Sequence, residues 1–159
     1  RRDDIRLITV TPPCKRDTAQ ARSLLPRTYP VSDVVSALNN VAKLITCLSS
    51  NLPIQKIRHH LSSALKDPIH QPYRATVIPG LSKMLEFDFS SCDNIIGLYL
   101  SGAGPSIQVL TYGHDIDSAR DLVVEKWTTS AHNEGSTNFP LKCLVSLTST
   151  DGAQCTPLK

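Results

Sequence analysis

The sequence predicts an α+β fold: a helix pair combined with a ferredoxin-like antiparallel sheet, with helices on one face. Three observations carry that expectation. Two stretches near the first third of the chain place apolar residues every three or four positions, as amphipathic helices do. Three later segments are short, β-branched and bounded by glycine, proline or asparagine, as strands are. Their order is helix, helix, strand, strand, helix, strand, which layers helices against a sheet.

The first element is a strand. Ile5-Arg6-Leu7-Ile8-Thr9-Val10 alternates and is β-branched, and Pro12-Pro13 ends it because proline gives no N–H to a ladder. A chain that enters a strand so soon after Arg1 reads as one cut from within a larger protein. Asp17 or Thr18 caps a short helix through Arg22, Leu24 and Leu25, stopped at Pro26. After Tyr29-Pro30-Val31, Ser32 reads as the next N-cap, and Val34, Leu38, Val41, Ile45 and Leu48 then predict one buried helix face. Asn51-Leu52-Pro53 ends that helix and opens another, in which Ile54, Ile57, Leu61 and Leu65 share a face. The short link predicts that the two helices pack together antiparallel.

Residues 67–80 read as a long polar connection punctuated by Pro68, Pro72 and Pro79, followed by a short helix over Leu81–Leu85. Ile95–Leu100, the loop Ser101-Gly102-Ala103-Gly104-Pro105-Ser106 and Ile107–Tyr112 read as strand, glycine loop, strand. Residues 115–129 have helical spacing, His132–Asn138 reads as a surface loop, and Leu141–Leu147 as the last strand.

Composition narrows the function. With 159 residues, 40% apolar and 19% charged, the chain has material for a buried core and does not have the makeup of wholesale disorder. No uninterrupted apolar run approaches the ~18 residues of a membrane span, so no membrane partner is expected. The net charge of +3 and 5% aromatics do not make the clustered basic or stacking surface of a nucleic-acid binder, and none is expected. Tyr99 and Tyr112 are the strand aromatics on which an RNA-binding sheet would have to rely. Cys14, Cys47, Cys92, Cys143 and Cys155 are odd in number and widely spaced, which reads as reduced, mostly structural thiols of a cytoplasmic protein. No metal-ligand spacing occurs, and His59-His60 point about 100° apart on a helix.

Two segments could carry chemistry. The glycines of residues 101–106 would let backbone N–H groups approach an anion, although a tight hairpin needing positive φ explains them as well. The loop is neither a P-loop, since no Lys-Ser/Thr follows, nor a dinucleotide fingerprint, since Ile107 stands where a third glycine is needed. The second segment, His70-Gln71-Pro72-Tyr73-Arg74, sets an imidazole, an amide, a phenol and a guanidinium within five residues. Arg74 there could clamp a carboxylate or phosphate. A loop held by its own hydrogen bonds accounts for the segment equally.

Taken together, His70–Arg74 with Val77-Ile78-Pro79-Gly80, then Leu100–Ser106, resemble the C-terminal half of the homoserine kinases, members of the GHMP family of small-molecule kinases. Thr18–Pro26, Val34–Val41 with Asn39-Asn40, and Asp151-Gly152-Ala153 fit the same resemblance in order. It implies a GHMP-type C-terminal domain over residues 13–159, with residues 1–12 a strand of a missing N-terminal domain, left with an exposed edge. It further implies ATP-dependent phosphorylation of the L-homoserine hydroxyl in threonine biosynthesis, with ATP and Mg²⁺ as cofactors of the intact enzyme.

By resemblance, Arg22 and Arg74 hold the substrate carboxylate, with His70 beside them, and Ser101, Gly102, Ala103, Gly104 and Ser106 form a loop close to the phosphates. The family's N-terminal loop of Pro-x-x-x-Gly-Leu-Gly-Ser-Ser-Ala type, and the residues holding Mg²⁺, have no counterpart here. The chain alone is therefore expected to be inactive and to hold neither cofactor tightly. Mevalonate and galactose kinases are siblings in the superfamily, and two arginines suit the amino-acid head of homoserine better. The alternative reading is a non-catalytic remnant serving as a small-molecule or protein binding module. Oligomeric state is open, a homodimer included.

Overall fold

The computed structural model describes residues 4–14, 17–89, 92 and 94–147. Cys155 and the Asp151-Gly152-Ala153 segment lie outside the described residues. The elements run β1 (Ile5–Thr11), α1 (Thr18–Ser23), α2 (Val31–Ser49), α3 (Ile54–Ala64), α4 (Gln71–Ala75), α5 (Leu81–Glu86), β2 (Ile95–Leu100), β3 (Ile107–Tyr112), α6 (Ile116–Asn133) and β4 (Lys142–Leu147).

The strands form one antiparallel sheet in the order β2-β3-β1-β4, the ferredoxin-like arrangement expected. One expectation is corrected. β1 has no exposed edge, because it bonds along its length to β3 on one side and β4 on the other. Its β-branched alternation fills the middle of this sheet, with Ile8 opposite Val109 and Val145.

A second correction concerns the faces. Ile8, Val10, Ile107 and Val109 form one face, packed with Ala119, Val123, Trp127 and Ala131 of α6. Ile5, Ile96 and Leu110 point the other way and meet Ile54, Ile57 and Leu61 of α3 with Leu65 at its end. Helices therefore cover both faces. The reason is legible in β2, whose run Ile95–Leu100 is apolar at nearly every position, as in a strand buried on both sides. A bulge at Ile96 lets Ile95 and Leu98 serve the α6 face while Ile96 serves the α3 face.

The helix caps follow local chemistry. Asp17 accepts from Ala19 N at the start of α1, and Asp115 accepts from Ser118 N at the start of α6. α2 differs from expectation: Pro30 occupies its N-cap with no side-chain bond, and Ser32 lies inside the helix, bonded to Asp33. Proline's fixed φ starts the helix without a hydroxyl cap. α6 continues through His132 to Asn133, so the expected surface loop begins later than His132.

The buried face foreseen for α2 is also corrected. Leu38 is 66% exposed and Ile45 61%, with Val34, Val41 and Leu48 exposed as well. The stripe that faces α3 lies one residue over, through Ala37, Asn40, Leu44 and Cys47. It is fixed by Asn40 Nδ2, which donates to Lys66 O (2.8 Å) just beyond α3, while Leu44 and Cys47 join the α3 cluster. Among the described residues, α2 is the one helix whose length and mean hydropathy (1.2) match a membrane-crossing helix.

Candidate functional site

α4 lies within residues 67–80, a stretch whose sequence shows no regular pattern. Pro72 stands in its first turn, where a missing N–H costs nothing. Asp67 prepares its entry, accepting from the backbone N–H groups of Ile69 (2.9 Å) and His70 (3.1 Å) and from His70 Nδ1 (2.8 Å). Gln71 turns inward, donating to Leu65 O and accepting from Asp67 N. The hydrogen-bonded segment is thus real, and it sets the face of α4 that carries Arg74.

Arg74 is 9% exposed, and its Nη1 donates to the carbonyl of Gly102 at 2.6 Å. The fold therefore brings together the two segments singled out in the sequence, although 28 residues separate them. Arg74 Nε is buried without a hydrogen-bond partner, and no carboxylate pairs with the guanidinium among the described residues. A buried cation without a counter-charge is costly, and a buried N–H left unbonded adds about 1–3 kcal/mol. The arrangement favours an anion next to the glycine loop.

The loop itself is a hairpin connection between β2 and β3. Ser101 N donates to Ser106 O (2.8 Å) and Gly104 N to Ser101 O (3.0 Å). Gly102 and Gly104 take φ of +56° and +79°, a region L side chains rarely enter. The hairpin explanation of these glycines is therefore correct. Gly104 has a second reason as well: a Cβ there would stand 3.1 Å from a Leu100 methyl and 3.3 Å from an Ile78 methyl. Beside Gly102 there is open space. Ser106 Oγ lies 2.8 Å from Thr11 Oγ1, tying the loop to the end of β1.

The other predicted residues fall differently. His70 is at the N-cap of α4, its ring oriented by Asp67 and about two-fifths exposed. Arg22 is exposed in the last turn of α1, and its guanidinium has no protein partner among the described residues. The link after α1 returns toward α4, with the Tyr29 ring edge-on to Tyr73 at 6.0 Å, next to Arg74 in sequence.

A groove of about 1170 Å³ runs between α3, α5 and β2. Its wall includes Gln71 and Pro72 of α4 but not Arg22, His70, Arg74 or the glycine loop, so the volume and the candidate site are separate. Sequence reasoning missed Arg58, which donates to the carbonyls of Phe89, Cys92 and Ile95 and fixes the approach to β2.

Tyr99 and Tyr112 do not form an open stacking platform. Both pack against the α3 cluster, Arg58 lies 5.8 Å over the Tyr112 ring, and burial pushes the Tyr99 phenol above its ordinary range. Cys47, Cys92 and Cys143 are free thiols, of which Cys47 is buried. Among the described residues no group of three His, Cys, Asp or Glu is placed to hold a metal ion.

Comparison with known proteins gives this geometry a setting. No family model matches the chain. Over 120 residues it is 38% identical to the homoserine kinase of Saccharomyces cerevisiae, covering 75% of this chain and 33% of the yeast protein. The homoserine kinase of Aquifex aeolicus is 31% identical over 109 residues, covering 69% of this chain and 34% of its own length. This chain is related to the homoserine kinases. It spans about a third of their length. The crystal structure of the homoserine kinase from Cytophaga hutchinsonii superposes with a TM-score of 0.68, covering 91% of this chain and 42% of that one. At 21% identity that likeness speaks to the fold, and the four-stranded α+β architecture is shared with a homoserine kinase.

Proposed function

We propose that this chain supplies the substrate-carboxylate part of a homoserine kinase, which transfers a phosphoryl group from ATP to the hydroxyl of L-homoserine. The observation that carries the reading is Arg74: buried, held by Nη1 on Gly102, and lacking any carboxylate partner among the described residues. A guanidinium recognises a carboxylate through charge-assisted, planar hydrogen bonds. Relatives named homoserine kinases give the anion an identity, the α-carboxylate of an amino acid. Arg22, exposed and without a protein partner among the described residues, adds a second cation in the last turn of α1, ahead of the link whose Tyr29 meets Tyr73 of α4.

In this reading the residues position rather than react. Arg74 anchors the carboxylate and so aims the hydroxyl. Gly102 and Ala103 leave their backbone N–H groups clear of partners among the described residues, where phosphate oxygens would approach. Phosphoryl transfer needs alignment and charge stabilisation more than covalent help. ATP supplies the phosphoryl group, and Mg²⁺ when bound neutralises its charge. The chain alone, which spans about a third of the relatives' length, is expected to be inactive.

Equilibrium dialysis of labelled L-homoserine against the chain, its Arg74→Ala variant and the competitor L-homoserine amide tests the reading. The expected result is competition at least about tenfold weaker by the amide, and an equal loss for Arg74→Ala, since a charge-assisted bond is removed in both. Equal competition by acid and amide would overturn it. Should the chain bind homoserine yet show no ATP turnover, that separates the positioning role from catalysis. The alternative of a non-catalytic binding module requires a longer protein carrying this stretch to be inactive as well.

A further inference from the structure

Of the four buried polar residues among the described residues, three, Asn40, Gln71 and Arg74, belong to one series of hydrogen bonds. Asn40 Nδ2 donates to Lys66 O (2.8 Å) and Gln71 Nε2 to Leu65 O (3.3 Å), so two side-chain amides grip the backbone from which α4 departs. Asp67 comes next. Its carboxylate accepts from Ile69 N and His70 N, and its own N–H donates to Gln71 Oε1 (3.1 Å). The Gln71 N–H returns to Asp67 O (3.3 Å). Side chains that satisfy each other's end of a turn make a capping box, here with the amide one residue later than the usual spacing. α4 needs such a device, because five residues do not hold a helix alone and its N-cap His70 gives it no side-chain bond. Gln71 and Arg74 stand three residues apart in α4, on one face, and both are buried. The series ends with Arg74 N on His70 O (3.1 Å) and Arg74 Nη1 on Gly102 O (2.6 Å).

We propose that Asp67 and Gln71 are positioning residues for Arg74: their box sets the turn that aims the guanidinium at the carboxylate. Both are engaged within the protein. The Asp67 carboxylate also accepts from His70 Nδ1 (2.8 Å), and the Gln71 amide has a backbone partner at each end. They act through Arg74 and not on the ligand. The identity of that ligand rests on the carboxylate reading above, whereas the aim of Arg74 is a property of the free chain.

In the ligand-free 159-residue chain, the carbonyl carbon resonance of Gly102 reports whether Arg74 Nη1 still reaches it, and Arg74→Ala gives its value without the bond. Asp67→Ala and Gln71→Met are each expected to move the resonance toward that value. Asp67→Asn, whose amide oxygen still accepts from the two N–H groups, is expected to bring it back toward wild type. Should Asp67→Ala fail to fold, Gln71→Met, which keeps the buried volume, carries the measurement. A resonance unmoved in the folded variants would overturn the proposal, whether or not homoserine binds. In equilibrium dialysis Asp67→Ala is expected to weaken L-homoserine by about fivefold, as loss of one helix cap does, and to leave L-homoserine amide nearly unchanged. In an Arg74→Ala background the same change is expected to add no further loss. A loss shared equally by acid and amide, or one that persists without Arg74, would show a role in the fold alone and overturn the positioning. A wild-type chain that does not distinguish acid from amide would overturn the carboxylate reading, and the Gly102 resonance would still decide the positioning.

Discussion

Arg74 and Gly80 show how differently single residues serve this molecule. Arg74 is kept at a cost to the fold, with Nε buried and unbonded. Gly80 is kept because nothing else fits: at φ +72°, a Cβ would lie 2.6 Å from the backbone nitrogen of Ala131. Its own N–H donates to Glu134 (2.6 Å), joining the start of α5 to the end of α6. Gly80→Ala is therefore expected to destabilise by about 3 kcal/mol or more, through both clash and strain. Gly102→Ala meets only the φ penalty of about 1–2 kcal/mol, because the space beside it is open. Urea denaturation midpoints distinguish the two. The importance of Arg74 was legible in its neighbours, Gln71-Pro72-Tyr73, but its burial was not, since a sequence does not show which carbonyl a guanidinium will reach.

Among the elements, the strands and long helices were readable from periodicity, and the failures share a cause. α4 was hidden because its five residues are too few to show a period, and the position of Pro72 was the available signal. The face of α2 was misassigned because two stripes lie one residue apart, and periodicity ranks them by hydrophobicity alone. The inward stripe was chosen by a hydrogen bond, Asn40 to Lys66 O, which periodicity does not register. At the start of α6 the Asp115 cap has a pH consequence. Hydrogen bonds from the Ser118 side chain and backbone hold the Asp115 carboxyl below the usual aspartate value. A depressed carboxylate adds stability above its unfolded value near pH 4, and loses it as pH falls through the lower folded value. Asp115→Asn is expected to lower stability near neutral pH and to flatten its decline between about pH 5 and 2, measured by thermal unfolding.

The whole molecule is a sheet whose strands β1–β3 are covered on both faces, with its candidate site at one end of the β2–β3 hairpin. Trp127 makes the link: its ring is fully buried in the α6 face, and its Nε1 donates to Pro79 O (2.9 Å), next to Gly80. The core on the α6 side thereby fixes the turn that follows α4. Trp127→Phe is expected to cost about 2 kcal/mol from lost packing and an unbonded carbonyl, read by denaturant unfolding. The central position of β1 was not legible, because an alternating strand reads the same at an edge as in the middle of a sheet. At this scale the chain spans about a third of its relatives' length, and the described residues bring an arginine with no carboxylate partner among them against a glycine loop.

That juxtaposition is tested most directly by following the Nε–H resonance of Arg74, assigned by its loss in Arg74→Lys, during titration with L-homoserine. The resonance is expected to move saturably, together with the amides of Gly102 and Ala103, and to stay in place with L-homoserine amide. An unmoved resonance up to about 10 mM, above the millimolar affinity one charge-assisted contact sustains, would contradict the assignment of Arg74 to the substrate carboxylate.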